Sequence, residues 1–497
     1  MCTYTAKLLL WIFTLSFLVT GCKEVVDDTN TSSVLYDIPP VNLDLPAIRE
    51  RGVLNAIVDN SATSYFIYKG RPMGYEYDML KWLADYLKVE LKIIIKNDIA
   101  EALKMLNEGK GDVVAFNLTI TKERKKFVGF TKPLYYARQV LVQKKPDNWR
   151  QMKLHQIDAE MIRDPVELAD KKIHVRKSSA YISRLNNLAD EIGADIHIVV
   201  DTMNSEIDEL IRQVAEGEIE YTVADEDVAL LSATFYPIID VKTPISFSQR
   251  IAWAVRQNAD SLQQTINGWL ESKQKYTDYY VIYNKYFKNL KWSANRSYSE
   301  FSSVSGDKLS PYDREIQLAA HEIHWDWLLL ASLIYQESKF DPNAESWAGA
   351  VGLMQLVENT AEEFGASNRT DPNQSLTAGT AYINWLQNTF SESIQDSTTR
   401  LKFVLAAYNV GIGHIQDARR LTKKFGASPN KWDGNVEKYL LLKSKEEYYT
   451  DPVVRYGYCR GREPVNYVES IMKRYNQYKQ LVKNEQIQAF DSTKSVI

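Results

Sequence analysis

Apolar positions between residues 46 and 290 follow one pattern twice. In the first copy residues 53–58 read as a strand. Met79, Leu80, Leu83 and Leu87 then share one helix face, and residues 91–95 read as the next strand. A second helix through Leu103 and Leu106 breaks at Gly109-Lys110-Gly111 and leads to a strand over 112–116. The second copy has strands over 173–176, 196–200 and 219–224, with helices near 179–190 and 205–215, the latter ending at Gly217. The breaks at 107–109 and 215–217 correspond in position. Two successive β-α-β-α-β units predict two parallel α/β lobes with a cleft between them.

After residue 290 the pattern changes. Residues 291–310 turn to Ser, Asn and Lys and read as a linker. From 311 to 485 the signals are almost wholly helical: a continuous apolar run over 327–335, helical spacing of Ala378, Ala381, Tyr382 and Trp385, an apolar stretch over 401–408, and an amphipathic segment over 466–481. Strands are scarce, so an all-α domain is expected here. The polar tail, 486–497, is expected to fray.

At 497 residues the chain has room for about three compact units. With 45% apolar and 25% charged residues it can bury several cores. A net charge of −4 gives no reason to invoke nucleic acid, and the basic run at 122–126 contains an acid and reads as a solvated helix face. His321 and His324 are spaced wrongly for a two-histidine zinc helix. No metal or other cofactor is expected. Lys7 precedes an apolar run over 8–19 that is too short to cross a bilayer, and the run ends in Val19-Thr20-Gly21-Cys22. Residues 1–21 therefore read as a leader. Cys22 is then either a lipidated first residue or an incidental cysteine behind an ordinary secretory signal. Of three cysteines, acylation of Cys22 leaves Cys459 alone, so no structural disulfide is expected. Residues 22–45 read as a tether.

The most informative chemistry is Glu337, which closes the apolar run. Burial there disfavours the carboxylate and raises its pKa, as a general acid on a glycosidic oxygen requires. The plainer reading has Glu337 end a core helix and face water. Around it, Glu337-Ser338, Phe340, Pro342, Ala344, Ser346, Gly349-Ala350 and Gly352-Leu353-Met354-Gln355 resemble the signature of lytic transglycosylases of the soluble lytic murein type. Ala406-Ala407-Tyr408-Asn409 with Gly411 and Gly413 resembles that family's second motif, and Glu463 to Tyr467-Val468 its third. Three motifs in order over about 130 residues are a specific match.

The resemblance implies a lysozyme-like fold for 311–485 and a single catalytic acid/base, Glu337. It also implies substrate contacts from Ser346, Gln355, Tyr408, Asn409 and Tyr467, and cleavage between N-acetylmuramic acid and N-acetylglucosamine leaving a 1,6-anhydromuramyl end. Ordinary glycosidases use two carboxylates, and Asp341, Glu345 and Glu358 are close in the chain. Tyr408, Tyr456, Tyr458, Tyr467 and Trp432 could stack on sugars, or serve as core and rim residues. Two positions depart from the family. Val357-Glu358 stands where Met-Pro is usual, and Pro464-Val465 where Thr-Arg is usual.

The first half resembles periplasmic solute-binding proteins that capture amino acids, through Arg51-Gly52-Val53-Leu54, Gly74 to Asp78, Thr119 to Arg124 and Phe130 to Tyr135. The resemblance implies that Arg124 grips an α-carboxylate in two parallel hydrogen bonds, that Asn117 and Thr119 add polar contacts, and that Asp225 meets an α-ammonium. Arg124 alone would otherwise read as a surface residue. The expected architecture is multidomain: a two-lobed α/β periplasmic-binding-protein-like domain over 46–290, then the transglycosylase domain. This resembles the arrangement of membrane-bound lytic transglycosylases. Its implied setting is the outer membrane, lipid-anchored and facing the periplasm, with peptidoglycan glycan strands as substrate and amino acids or muropeptides at the first module. A lysozyme-type hydrolase and a non-catalytic wall sensor remain the alternatives.

Overall fold

A computed structural model describes residues 38–201, 206–306 and 308–481. The leader, Cys22 and the 486–497 tail lie outside the described residues. Among the described residues no helix is long and apolar enough to cross a membrane.

The first half is built from strands β1 (Val53–Val58), β2 (Phe66–Tyr68), β3 (Arg71–Met73), β4 (Glu90–Ile95), β5 (Val113–Thr119), β6 (Val128–Phe130) and β7 (Tyr135–Ala137). These are followed by β8 (Gln139–Lys144), β9 (Lys172–Arg176), β10 (His197–Asp201), β11 (Tyr221–Asp225), β12 (Ile239–Pro244) and β13 (Gln249–Arg256). One sheet runs β4-β1-β5-β13-β6, with β7 also pairing β13, and the other runs β10-β9-β11-β8-β12. The two predicted β-α-β-α-β units are present as the parallel sets β4-β1-β5 and β10-β9-β11.

The lobes are not self-contained, however, and each sheet also takes up antiparallel strands beside its parallel set. The chain passes to the second lobe between β7 and β8, and returns between β12 and β13 to add an antiparallel strand inside the first sheet. Strand β13 is anchored by Arg256, buried and donating to the Leu106 carbonyl at 3.0 Å and to Asp112 at 3.3 Å. Such a partner lies over 140 positions away, and local periodicity carries no information about it.

The described residues of 291–310 are packed rather than free. Helix Leu290–Ser297 covers the second lobe through Ala294 and Tyr298, which pack with Ala62 and Leu231. Beyond it, Ser303 N donates to the Ile67 carbonyl at 2.9 Å, Lys69 N donates to the Phe301 carbonyl at 3.0 Å, and Asn60 donates to the Ser303 carbonyl at 2.7 Å. These bonds use main-chain atoms of the segment, and the Ser303 hydroxyl adds to them by accepting from Ile67 N and donating to Asn60 Oδ1, each at 2.9 Å.

From 308 onward the described residues form helices and no strand. Helix Trp327–Ser338 is buried on all sides over its first eight residues, as its unbroken apolar run requires. It packs between helices Asp313–Glu322 and Arg462–Leu481. One continuous apolar cluster joins it to the first lobe. At that junction Tyr478 donates to the Gly70 carbonyl at 2.9 Å, Ile95 N donates to Gln480 at 3.0 Å, and Lys473 pairs with Glu90 at 2.6 Å.

Candidate active site and binding cleft

Helix Trp327–Ser338 is fixed at its start by Asp326, which accepts from Leu328 N at 2.9 Å and from the Tyr475 hydroxyl at 2.8 Å. At its end Lys339 and Phe340 both take left-handed backbone angles, so the chain turns back sharply and Glu337 is left half-buried at the turn. Ser338, which the sequence reading left without a role, donates to the Leu353 carbonyl at 2.9 Å. It closes the returning loop over the helix end.

That loop braces itself. Ser346 N donates to the Ala350 carbonyl at 2.9 Å, and the Ser346 hydroxyl accepts from Ala350 N at 3.0 Å. The Gln355 amide donates to the carbonyls of Ala344 at 2.8 Å and Gly352 at 3.0 Å. Arg369 donates to the Gly349 carbonyl at 2.7 Å and to that of Leu356 at 3.1 Å. It lies in an ordinary polar stretch, and no sequence signal marks it.

The motif residues converge from three helices. The Tyr467 hydroxyl, on helix Arg462–Leu481, donates to Glu337 Oε1. The Tyr408 hydroxyl, near the end of helix Ser397–Val410, donates to the Met354 carbonyl at 2.7 Å. Asn409 beside it is exposed on the rim. Burial pushes the Glu337 carboxyl up to about 7, with the Tyr467 hydrogen bond opposing it. Burial, and then the nearby Glu337, raise Tyr467 and Tyr408 well above the usual phenol range, so both remain donors. Asp341, Glu345 and Glu358 are all exposed.

The departures from the family sequence are structurally mild. Glu358 takes the first position of helix Glu358–Glu363, where acids suit the helix dipole. Pro464 lies in the first turn of helix Arg462–Leu481, where its missing N–H costs nothing. Trp432 is buried against Phe403 and belongs to the core, whereas Tyr456 and Tyr458 are exposed. Among the described residues no group of three or more His, Cys, Asp or Glu could hold a metal ion.

The second constellation lies between the lobes, in a cleft that Asn117, Thr119, Arg124 and Asp225 line together. Arg124 turns inward while its neighbours Lys122, Lys125 and Lys126 are exposed. It donates to the Thr119 carbonyl at 2.9 Å and, across the cleft, to the Ser178 carbonyl at 3.0 Å. Burial lowers its guanidinium to about 10. Asn117 donates to Thr63 at 2.9 Å and accepts from Tyr135 at 2.9 Å. Asp225 is buried with Oδ1 unpartnered. Burial, and then Asp227, raise its carboxyl well above the usual range, against the pull of Arg124. Sequence reading missed Asp59 and Arg176, which face each other across the cleft at 3.4 Å. Arg176 ends a strand of the parallel sets, as do Thr119 and Asp225, and Asp59 directly follows one. That strand-end placement is the signal that could have found them.

Two known families match separate stretches of the chain. Residues 54–289 match bacterial extracellular solute-binding proteins, family 3, and residues 315–430 match the transglycosylase SLT domain. A membrane-bound lytic murein transglycosylase F of Desulfosudis oleivorans is 38% identical over 446 residues, 90% of this chain and 94% of that protein. One of Pseudomonas fluorescens is 32% identical over 434 residues, 87% of this chain and 86% of that protein. Among solved structures, an ancestral amino acid-binding protein aligns with 49% of this chain and 98% of its own, at 26% identity and a TM-score of 0.41.

Proposed function

The chain belongs to the membrane-bound lytic murein transglycosylase F family, and on that premise we propose that its single acid, Glu337, cleaves murein by intramolecular ring closure. The enzyme is a peptidoglycan lytic transglycosylase carrying a solute-binding module. In the proposed reaction protonated Glu337 gives its proton to the oxygen linking N-acetylmuramic acid C1 to N-acetylglucosamine, and the C1–O bond breaks. The resulting carboxylate removes the proton from the muramyl C6 hydroxyl, whose oxygen bonds to C1. A 1,6-anhydromuramyl end forms, the glutamic acid is regenerated, and no water is consumed. Tyr467 holds the carboxyl in place. Tyr408, Asn409, Ser346 and Gln355 shape the sugar-binding surface, the last two by bracing the loop.

The observation that carries this reading is the placement of Glu337 at the end of a buried helix with the Tyr467 hydroxyl donating to it, where burial pushes the carboxyl up to about 7, while the acids next to it in the chain, Asp341, Glu345 and Glu358, are exposed. A hydrolase of the usual kind needs a second carboxylate about 5–9 Å away to act as nucleophile or to activate water. Mass spectrometry of sacculi digested by the full chain tests it. Anhydro ends are expected, and water-added ends would assign a lysozyme-type hydrolase instead.

In the first module, Arg124 and Asp225 suit the carboxylate and ammonium of an amino acid or wall peptide, whose binding would regulate cleavage. Cys22, in its lipobox-like setting, would anchor the chain in the outer membrane facing the periplasm. Calorimetry of the full chain with free amino acids and stem peptides tests the first point. Mass analysis of the mature N-terminus tests the second.

A further inference from the structure

Resting on that reading of the catalytic half, we propose that Tyr456 is a sugar-stacking platform that extends the glycan groove past Asn409. The residue lies between helices Glu446–Tyr449 and Arg462–Leu481, beyond the end of the SLT match, and is 60% exposed. A Cβ built on Gly413 would lie 2.6, 2.7 and 2.7 Å from three consecutive carbons of its ring. Near-equal distances to three neighbouring carbons put Gly413 beneath the ring face, not at its edge. One face of the phenol is therefore seated on bare backbone, and the opposite face is turned to water. Gly413 lies two residues past Gly411, which ends the helix bearing Tyr408 and Asn409, in the first turn of helix Ile412–Lys424, so the ring is seated on the turn that follows the exposed Asn409. The far end of the segment enters the helix that supplies Tyr467.

A second observation is how firmly the chain holds this ring. Asp417, fully buried, accepts from the backbone N–H groups of Arg455 and Tyr456, each at 2.8 Å. Its partners are the equally buried Lys443 at 2.7 Å, and Arg420. The Lys443 ammonium is also 2.7 Å from His414 Nδ1. Buried ion pairs are often no more stabilising than apolar side chains of the same volume, so stability alone does not account for this one. What it secures is the backbone of an exposed tyrosine. Tyrosines held for packing look different in this domain: Tyr439 is buried and stacked on Phe425 at 5.4 Å.

A rigid ring with one free face and a wet hydroxyl suits the C–H face of a pyranose. The occupant is the glycan strand itself, at a sugar beyond the pair flanking the scissile bond.

The test uses the full chain carrying Glu337→Gln, so that binding is read without turnover. Adding Tyr456→Ala should weaken co-sedimentation with peptide-free glycan strands about tenfold, a loss typical of one stacked ring. Tyr456→Leu, which keeps apolar bulk without a flat face, should lose nearly as much. Tyr456→Phe should bind almost as the parent does. In the active chain Tyr456→Ala should raise KM more than it lowers kcat. Undiminished binding by both the Ala and Leu variants would overturn the platform, as would equal losses for Phe and Ala. A parent chain that neither binds nor cleaves strands sinks the enzyme reading as well. That outcome is distinct from a chain that cleaves normally and is indifferent to residue 456.

Discussion

Tyr478 donates a hydrogen bond of 2.9 Å to the carbonyl of Gly70, fastening the hairpin of the first lobe to the helix that carries Tyr467. Gly70 adopts φ +73°, and a Cβ there would fall 2.6 Å from Tyr335, 2.6 Å from Tyr478 and 2.8 Å from Phe340. Tyr335 and Phe340 flank Glu337. Gly70→Ala should therefore destabilise the chain by about 1–3 kcal/mol through overpacking and backbone strain, and slow sacculus clearing. Tyr478→Phe, losing only the hydrogen bond, should cost about 1 kcal/mol. Equal thermal midpoints for the parent and the Gly70 variant would show that the lobes do not bear on the catalytic helix in this way.

Glu337→Gln should abolish cleavage and also stabilise the fold, in a pH-dependent way. Folding raises this carboxyl from 4.5 to about 7, so the folded state resists its ionisation. The penalty is absent below 4.5, grows as pH climbs to 7, and is full above that, at about 3 kcal/mol or less. The variant should match the parent near pH 4 and melt higher at pH 8. A constant difference in melting across that range would contradict the assignment.

As the proposed general acid, the same carboxyl should set the pH–rate profile. A general acid must carry its proton, so kcat/KM should fall above about pH 7. The Tyr467 hydroxyl favours the ionised form by donating to it. Tyr467→Phe should move the falling limb to higher pH and lower the maximum about 10- to 100-fold through lost positioning. An unshifted limb would mean that the phenol does not act on this acid.

Some of this was legible in the chain and some was not, for physical reasons. The unbroken apolar run over 327–335 reads as a buried helix, but the run alone leaves Glu337 as either an acid or a solvated helix end, and it is the motif around it, Ser338 to Gln355, that singles it out. The helices around it follow from periodicity. Strand β13 could not be assigned to the first lobe, because its partner β5 lies across the entire second lobe. Arg176 was missed for a similar reason: its charge partner Asp59 is 117 positions away. Trp432 and Tyr456 looked alike as sugar-stacking candidates. Tertiary packing placed one against Phe403 in the core and left the other seated on Gly413 in water. Arg369, which braces the active-site loop through two carbonyls, needs no special side-chain pattern and so leaves none.

The solute-binding cleft makes a prediction in which the direction of pH dependence is decisive. Asp225 is buried, raised well above its usual range, and has one oxygen unpartnered. To hold an ammonium it must be ionised, so ligand binding releases a proton and affinity should rise with pH through that raised range. Asp225→Asn should flatten this dependence and weaken binding about 10- to 100-fold, the scale of one charge-assisted hydrogen bond. Arg124→Lys should also weaken it, since an ammonium cannot reproduce the planar fork that reaches both the Thr119 and Ser178 carbonyls. Calorimetry of the full chain with a free amino acid, repeated at several pH values, separates the two. Lost affinity with pH dependence retained is expected for Arg124→Lys, and lost affinity with no pH dependence for Asp225→Asn. Binding that strengthens as pH falls would assign the ammonium to another group.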